Sequence, residues 1–378
     1  MMRGALRISL ALTAAAMAVQ GCNKPFEMVI EQYLDTSAPV PVIMEIGDSQ
    51  QGLSAKSSGS VDGYSELNGH KVLVYAVSTN AEVDYRKMTE EADGVDILAA
   101  GDTAVIDTDN SLVNWINKKQ EDVLYPEKEN SVITYDFFAS YLDDAPAQYS
   151  LGLSNSSTLV YSISIDGRQD IMTSRAVPPE GWNFGYLAAC AKVNPRFYMK
   201  HDLVKLKFKL KPGVTPEGER TLYVHYLNLS SMNNAYLTAA IRTGEPGVSF
   251  YGDPVFLPLY MEDGNPFQID QVTTVSEVED EEKKQAQLDE RTHILGGDKA
   301  CFLVAPQDSY EYELGLSKYE LNVIEPLRHK LALPSGKTFE AGKAYTVTFE
   351  VFGESDIAVF VDLTPWEDGG EFEATNDI

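Results

Sequence analysis

The sequence predicts an all-β chain, mainly antiparallel, folded as two β-sandwich domains, and three observations carry that expectation. Short runs rich in Val, Ile, Tyr, Phe and Thr recur along the chain, each closed by Gly, Pro, Asn or Asp, the punctuation of strands. In residues 203–210, Leu206, Phe208 and Leu210 alternate with Lys205, Lys207 and Lys209. One face is apolar and the other cationic, as in a sheet packed on one side and wet on the other. A regular strand–helix rhythm is missing, which argues against a parallel nucleotide-binding sheet. The length suggests two domains, with a division expected near residue 190.

The first element is a leader. Arg3 and Arg7 precede an apolar stretch, residues 8–19, which ends in Val19-Gln20-Gly21-Cys22. A basic start, a short apolar region and a small residue before the cut make a secretory signal. The stretch is too short to span a bilayer as a helix. A cysteine directly after the cut makes it a lipoprotein signal, so residues 1–21 are expected to be removed and Cys22 acylated, palmitate included. The mature chain would then be a membrane-anchored protein on the far side of the inner membrane, with residues 22–37 as a tether.

The first domain is expected over residues 38–190. Its candidate strands are residues 40–46, where Pro41 suggests an edge position, then 70–77 (containing VLVYAV), 131–141 (containing VITYDFFASY) and 159–165 (containing VYSISI). Residues 109–120, with Leu112, Val113 and Ile116 around Trp115, read as a short helix. The second domain, residues 191–378, carries strands at 203–210, 344–352 (AYTVTFEVF) and 357–363 (IAVFVDL). Residues 277–291, EVEDEEKKQAQLDER, form an acidic insertion that reads as a solvated surface helix.

Composition removes several function classes. Lys+Arg number 30 against Asp+Glu 57, a formal net charge of -27. Nucleic acid needs a basic footprint, so it is excluded as a partner, as is polybasic binding to a membrane surface. Apolar residues make up 44%, enough for ordinary cores. Cys190 and Cys301 lie far apart in apolar stretches and read as two free thiols rather than a bridge. Five scattered histidines and three cysteines offer no metal-ligand spacing, and no cofactor is expected. No phosphate loop, G-x-S-x-G, H-E-x-x-H or C-x-x-C occurs, so no enzyme is expected. Asp102-Thr103-Ala104 matches a short O-glycosylation pattern.

Several segments in order resemble the fimbrillin family, the lipoprotein precursors of type V pili. Tyr125-Pro126 is followed by Tyr135-Asp136-Phe137-Phe138-Ala139-Ser140-Tyr141, similar to that family's YP and FFAxY strand. Gln169-Asp170-Ile171-Met172 resembles its QxDLM signature, one residue tighter, and His201 with Lys205-Leu206-Lys207-Phe208 resembles its HxxxK strand. Phe302-Leu303-Val304-Ala305-Pro306-Gln307 is similar to its LxxPQ strand. Gly342-Lys343, Tyr345-Thr346-Val347 and Pro365-Trp366-Glu367-Asp368-Gly369-Gly370 are similar to its C-terminal signatures. The match spans about residues 40–370, and the acidic insertion departs from it.

The resemblance implies two transthyretin-like sandwiches, export as a lipoprotein, trimming by a trypsin-like protease and polymerisation by strand exchange. Residues 40–46 match the first strand, and the polar segment after it holds one basic residue, Lys56, among small ones. Cutting between Lys56 and Ser57 would release the first strand with its lipid. The family commonly cuts after arginine. The expected donor is the strand at residues 356–364, where Ile357, Val359, Val361 and Leu363 share one face. A normal final strand of the second sandwich is the competing reading for that segment. Partners implied are other fimbrial subunits, the processing protease, the outer membrane through the lipid, and a host or bacterial surface ligand. The alternative function is a stand-alone surface lipoprotein that binds glycans or host ligands, with Trp115, Trp182 and Trp366 as candidate stacking platforms.

Overall fold

The computed structural model describes residues 40–48, 64–89, 94–119, 122–126, 132–143, 150–151, 153–216, 218–261, 263–321, 326–333 and 336–364. They are almost entirely β, as the sequence predicts. Nine strands form the first sheet. In spatial order these are β10 (Arg196–Phe197), β1 (Met44–Ile46), β4 (Leu112–Trp115), β3 (Ile97–Asp107), β2 (Lys71–Ser78), β5 (Thr134–Tyr141), β8 (Met172–Arg175) and β11 (Lys200–His201), with β9 (Phe184–Gly185) also on β5.

The two ends of that order are close in sequence, since β10 ends at Phe197 and β11 begins at Lys200. Three residues reach at most about 11 Å. The sheet therefore rolls until its edges nearly meet. Tyr198 ties the seam: its N–H donates to Ser174 Oγ on β8 at 2.9 Å, while its ring lies against Gly47, just beyond β1.

Strand alternation divides the central strands between two cores. On β2, Val72, Val74 and Ala76 enter the core inside the roll, whereas Tyr75 and Val77 enter a second core on its outer face. A four-stranded sheet covers that outer face, in the order β16 (Gly247–Tyr251), β15 (Asn234–Ile241), β7 (Thr158–Ser164) and β6 (Ser150–Leu151). Cover on both faces explains why VLVYAV and FFASY read as nearly continuous apolar runs.

The remaining strands make a sandwich around a third core. One sheet runs β20 (His293–Ile294), β12 (Val204–Pro212), β24 (Ala344–Val351) and β25 (Ile357–Thr364), with β21 (Phe302–Val304) also on β12. The other runs β17 (Val255–Pro258), β14 (Thr221–Ser231), β22 (Ser309–Ser317) and β23 (Leu327–Ala332), with β18 (Asp270–Thr273) also on β14. Leu206, Phe208 and Leu210 of one sheet face Leu227, Leu229 and Tyr312 of the other. A short ribbon pairs β13 (Val214–Thr215) with β19 (Val275–Ser276).

Several local expectations change. Residues 109–120 are not helical: a turn, closed by Ser111 at φ 57, leads into β4. Val113 and Trp115 are the buried alternate residues there, a period of two rather than 3.6. Residues 40–46 are not an edge, because β1 has a partner on each side, and Pro41 lies just outside it in an isolated bridge to Leu124. The lysine face of β12 is not uniformly wet, for Lys205 is buried. β12 also runs parallel to β24, a pairing that one-sided alternation cannot distinguish from antiparallel.

Strand pairing crosses residue 190 in both directions. β10 and β11 complete the first sheet, and β15 and β16 join β7. β14 passes into β15 through Met232 and Asn233, carrying the chain from the last sandwich back to the cover of the roll. The acidic insertion contains α2 (Glu281–Arg291), capped by Asp280, whose side chain accepts from the Lys283 N–H at 3.2 Å. Leu288 is its buried residue, and Arg291 donates to Thr274 O at 3.0 Å. Cys190, at the end of α1 (Tyr186–Cys190), and Cys301 are not disulfide-bonded, and Cys301 lies within the second core.

Candidate functional site: the slot of the first strand

β1 lies parallel to β10 and antiparallel to β4. Glu45 stands opposite Arg196 on one side and Leu112 on the other. Backbone bonds hold the segment along its length. The Val42 N–H donates to Val123 O (2.8 Å), the Glu45 N–H to Pro195 O (2.9 Å) and the Gly47 N–H to Phe197 O (2.8 Å). The Tyr125 N–H donates back to Val40 O at 3.0 Å.

One face of the strand is driven into the roll. Val42, Met44 and Ile46 are 0%, 0% and 1% exposed, packed in the core that also holds Val113, Trp115 and Phe197. Burial of such side chains stabilises by about 1.5–3 kcal/mol each. The other face carries a charge lock. The Arg196 guanidinium donates to both Glu45 Oε2 from Nε (2.9 Å) and from its terminal nitrogen, and Asn194 Nδ2 donates to Glu45 Oε1 at 3.0 Å. The hydrogen bond to Glu45, and after it one to Tyr198, raise the Arg196 guanidinium above its ordinary value. Beyond the strand, a Cβ on Gly47 would lie 2.4 Å from Tyr198 Cε1, so the ring leaves room for hydrogen alone. The Tyr64 hydroxyl donates to Ser111 Oγ at 3.2 Å beside the end of β1.

β25 lies towards the other end of the chain, and among the described residues its one strand partner is β24. Val361 is 6% exposed, while Ile357, Val359 and Leu363 are only partly buried against the third core. The inward residues Val347, Phe349 and Val351 of neighbouring β24 are 0% exposed, so the last strand is the looser layer. The four donor residues named from the sequence therefore share one face of one strand. Cys22, Lys56, Ser57 and Trp366 fall outside the described residues. Trp115 is buried in the first core and Trp182 is half-buried, so these two do not form an open platform. Asp102-Thr103-Ala104 lies within β3, with Ala104 fully buried.

A second polar cluster sits where the chain leaves the roll for β12. His201 Nδ1 and the fully buried Asp170 are 3.1 Å apart, so two of the sequence signatures meet as one buried pair. The adjacent Asp202 has its Oδ2 enclosed without a hydrogen-bond partner. Burial pushes the Asp202 carboxyl up to about 7, against the opposing pull of its bond from Thr173 and of nearby His201. Among the described residues no group of three or more His, Cys, Asp or Glu side chains could hold a metal ion, and no helix is long and apolar enough to cross a membrane.

Sequence reading missed Asn194, Arg196 and Tyr198. They follow a short helix as an irregular polar stretch, and only their distant pairing with residues 45–47 gives them a role.

No family model matches the chain, and no curated protein matches it. Solved structures are similar to it over most of their length. A candidate cell adhesion protein from Bacteroides uniformis shares 16% identity at a TM-score of 0.47, covering 88% of this chain and 99% of that one. A fimbrial protein from Bacteroides vulgatus shares 13% at 0.47, covering 86% and 99%. A fimbrial anchor protein from Porphyromonas gingivalis shares 8% at 0.34, covering 89% and 100%. The solved structures that resemble this chain thus include fimbrial and cell-adhesion proteins.

Proposed function

We propose that the chain is a structural, adhesive subunit of a cell-surface fimbria, exported as a lipoprotein through Cys22 and assembled by strand exchange. The observation that carries the reading is the condition of β1. It is short, lies at the start of the described chain, and fills a core slot between two strands that come from far along the sequence. Its loss would uncover the apolar lining of that slot and leave both β4 and β10 with unpaired backbone groups. Each square ångström of apolar area so exposed is unfavourable by about 25 cal/mol. An added strand removes that penalty and satisfies the backbone on both sides.

Lys56, ten residues after Ile46, is where a trypsin-like protease would cut to free β1, leaving Ser57 as the new start. β25 supports the donor role by its place as the last strand of its sheet among the described residues and by its partial burial. Its partners would be other subunits of the fimbria, the outer membrane before trimming, and a surface ligand after it. The test is Lys56→Ala in cells. The variant should stay a lipid-anchored precursor and form no fimbriae. Normal fimbriae from it would move the stand-alone, ligand-binding surface lipoprotein ahead.

A further inference from the structure

The first and last strands carry the same pattern. Val42-Ile43-Met44-Glu45-Ile46 and Val359-Phe360-Val361-Asp362-Leu363 both read apolar, bulky, apolar, acid, apolar. The match extends backwards, with Val40-Pro41 beside Ile357-Ala358. In each seven-residue stretch the acid is the sixth residue and the one charged group. In β1 that acid is the group held by Arg196 and Asn194. In β25 it is exposed, on the last strand of its sheet among the described residues.

We propose that β25 of a second copy of this chain enters the β1 slot in a single register, with Asp362 in the place of Glu45. The inference rests on the strand-exchange reading and adds to it the direction, the register and the residues that set them. Val359, Val361 and Leu363 then occupy the places of Val42, Met44 and Ile46. The incoming strand runs parallel to β10 and antiparallel to β4, as β1 does.

Apolar packing alone does not choose this register. A slip of one residue turns every side chain to the wrong face and is excluded by the core. A slip of two keeps the apolar face inward and is excluded only by the charge. It puts Phe360 or Thr364 opposite Arg196 and leaves the guanidinium with no carboxylate. Reversing the strand while keeping Asp362 on Arg196 gives the Val42 place to Pro365, which cannot donate a hydrogen bond as Val42 does to Val123 O. Arg196 is half-exposed, so its pairing chooses among alignments more than it adds affinity.

The register also puts Thr364 where Gly47 was. A Cβ there meets the Tyr198 ring, so the ring must swing away when the slot changes occupant. Tyr198 is 43% exposed and has solvent to move into.

The test mixes two forms of the full mature chain after trypsin. One carries Val113→Cys and the other Val361→Cys, with Val359→Cys as the two-residue slip, so that Arg196 and Asp362 stay in place. Met44 and Val113 are directly opposite, so cysteines at the Val361 and Val113 places fall within disulfide reach. Mass spectrometry should find the 361–113 link at least about tenfold above the 359–113 link. Asp362→Arg, at an exposed position, should leave folding intact and weaken subunit association about tenfold, one repulsion in place of one charge pair. A dominant 359–113 link overturns the register and leaves strand exchange standing. No association of the trypsin-treated wild-type chain overturns both.

Discussion

Truncating Met44 asks whether β1 is a core strand or a cover laid loosely on the roll. Its side chain is 0% exposed, on the same face as Val42 and Ile46. Met→Ala at such a site loses the burial of the removed atoms and leaves a cavity, together about 2–5 kcal/mol. A domain has only about 5–15 kcal/mol of stability in all. For a unit of this size each kcal/mol moves the midpoint by about 2–4 °C, so a drop of roughly 5–15 °C is expected. Trp115 reports on the event, because it lies in the same core, on the strand next to β1. The assay is thermal and urea unfolding followed by tryptophan emission, in a chain with Trp182 and Trp366 replaced by Phe. Ile43→Ala is the matched control on the half-buried face of the same segment, expected to cost less than about 1 kcal/mol. Equal effects of the two variants, or a Met44→Ala shift under about 2 °C, would refute the claim that β1 fills a tight slot.

Other outcomes follow from the same contacts. Asp202 has its carboxyl raised from 3.8 to about 7 by burial, so the folded state holds a proton that the unfolded chain releases. The resulting stability is present below the unfolded value and lost as pH rises through about 7. Urea midpoints should fall between pH 5 and pH 8, and Asp202→Asn should flatten that slope. An unchanged slope removes Asp202 as its source. Asp170→Ala removes the buried hydrogen-bond partner of His201 Nδ1 and should cost about 1–3 kcal/mol by thermal melt. Gly47→Ala should turn the Tyr198 ring out into solvent at a cost under about 1 kcal/mol, and Tyr198→Ser in the same chain should remove that cost in a double-mutant cycle.

How much of this was legible in the sequence depends on range. Alternation along β12, β24 and β25 was plain because each has one apolar face, and the period of two is a local property. β2 and β5 were legible as strands but not as strands buried on both faces, since what covers them comes largely from residues 234–251. β4 was misread because four apolar residues in five fit either period until the turn at Ser111 fixes where the strand begins. Asp170 and His201 stood out separately as signatures, yet their pairing across the β8–β11 edge needed the fold. Arg196 and Asn194 had no local pattern at all, for their partner Glu45 is about 150 residues away in the chain. The resemblance between the first and last strands was present in the sequence throughout. It acquired meaning only when Glu45 was seen held by Arg196.

The central claim, replacement of the first strand by a strand from another copy, is tested most directly on the purified mature chain. Trypsin treatment followed by N-terminal sequencing and electron microscopy should give a chain beginning at Ser57, without β1, that forms filaments. Lys56→Ala, treated in parallel, should keep β1 and remain monomeric. Filaments that form while β1 is still attached, or a Ser57 chain that stays monomeric at every concentration, would contradict the account.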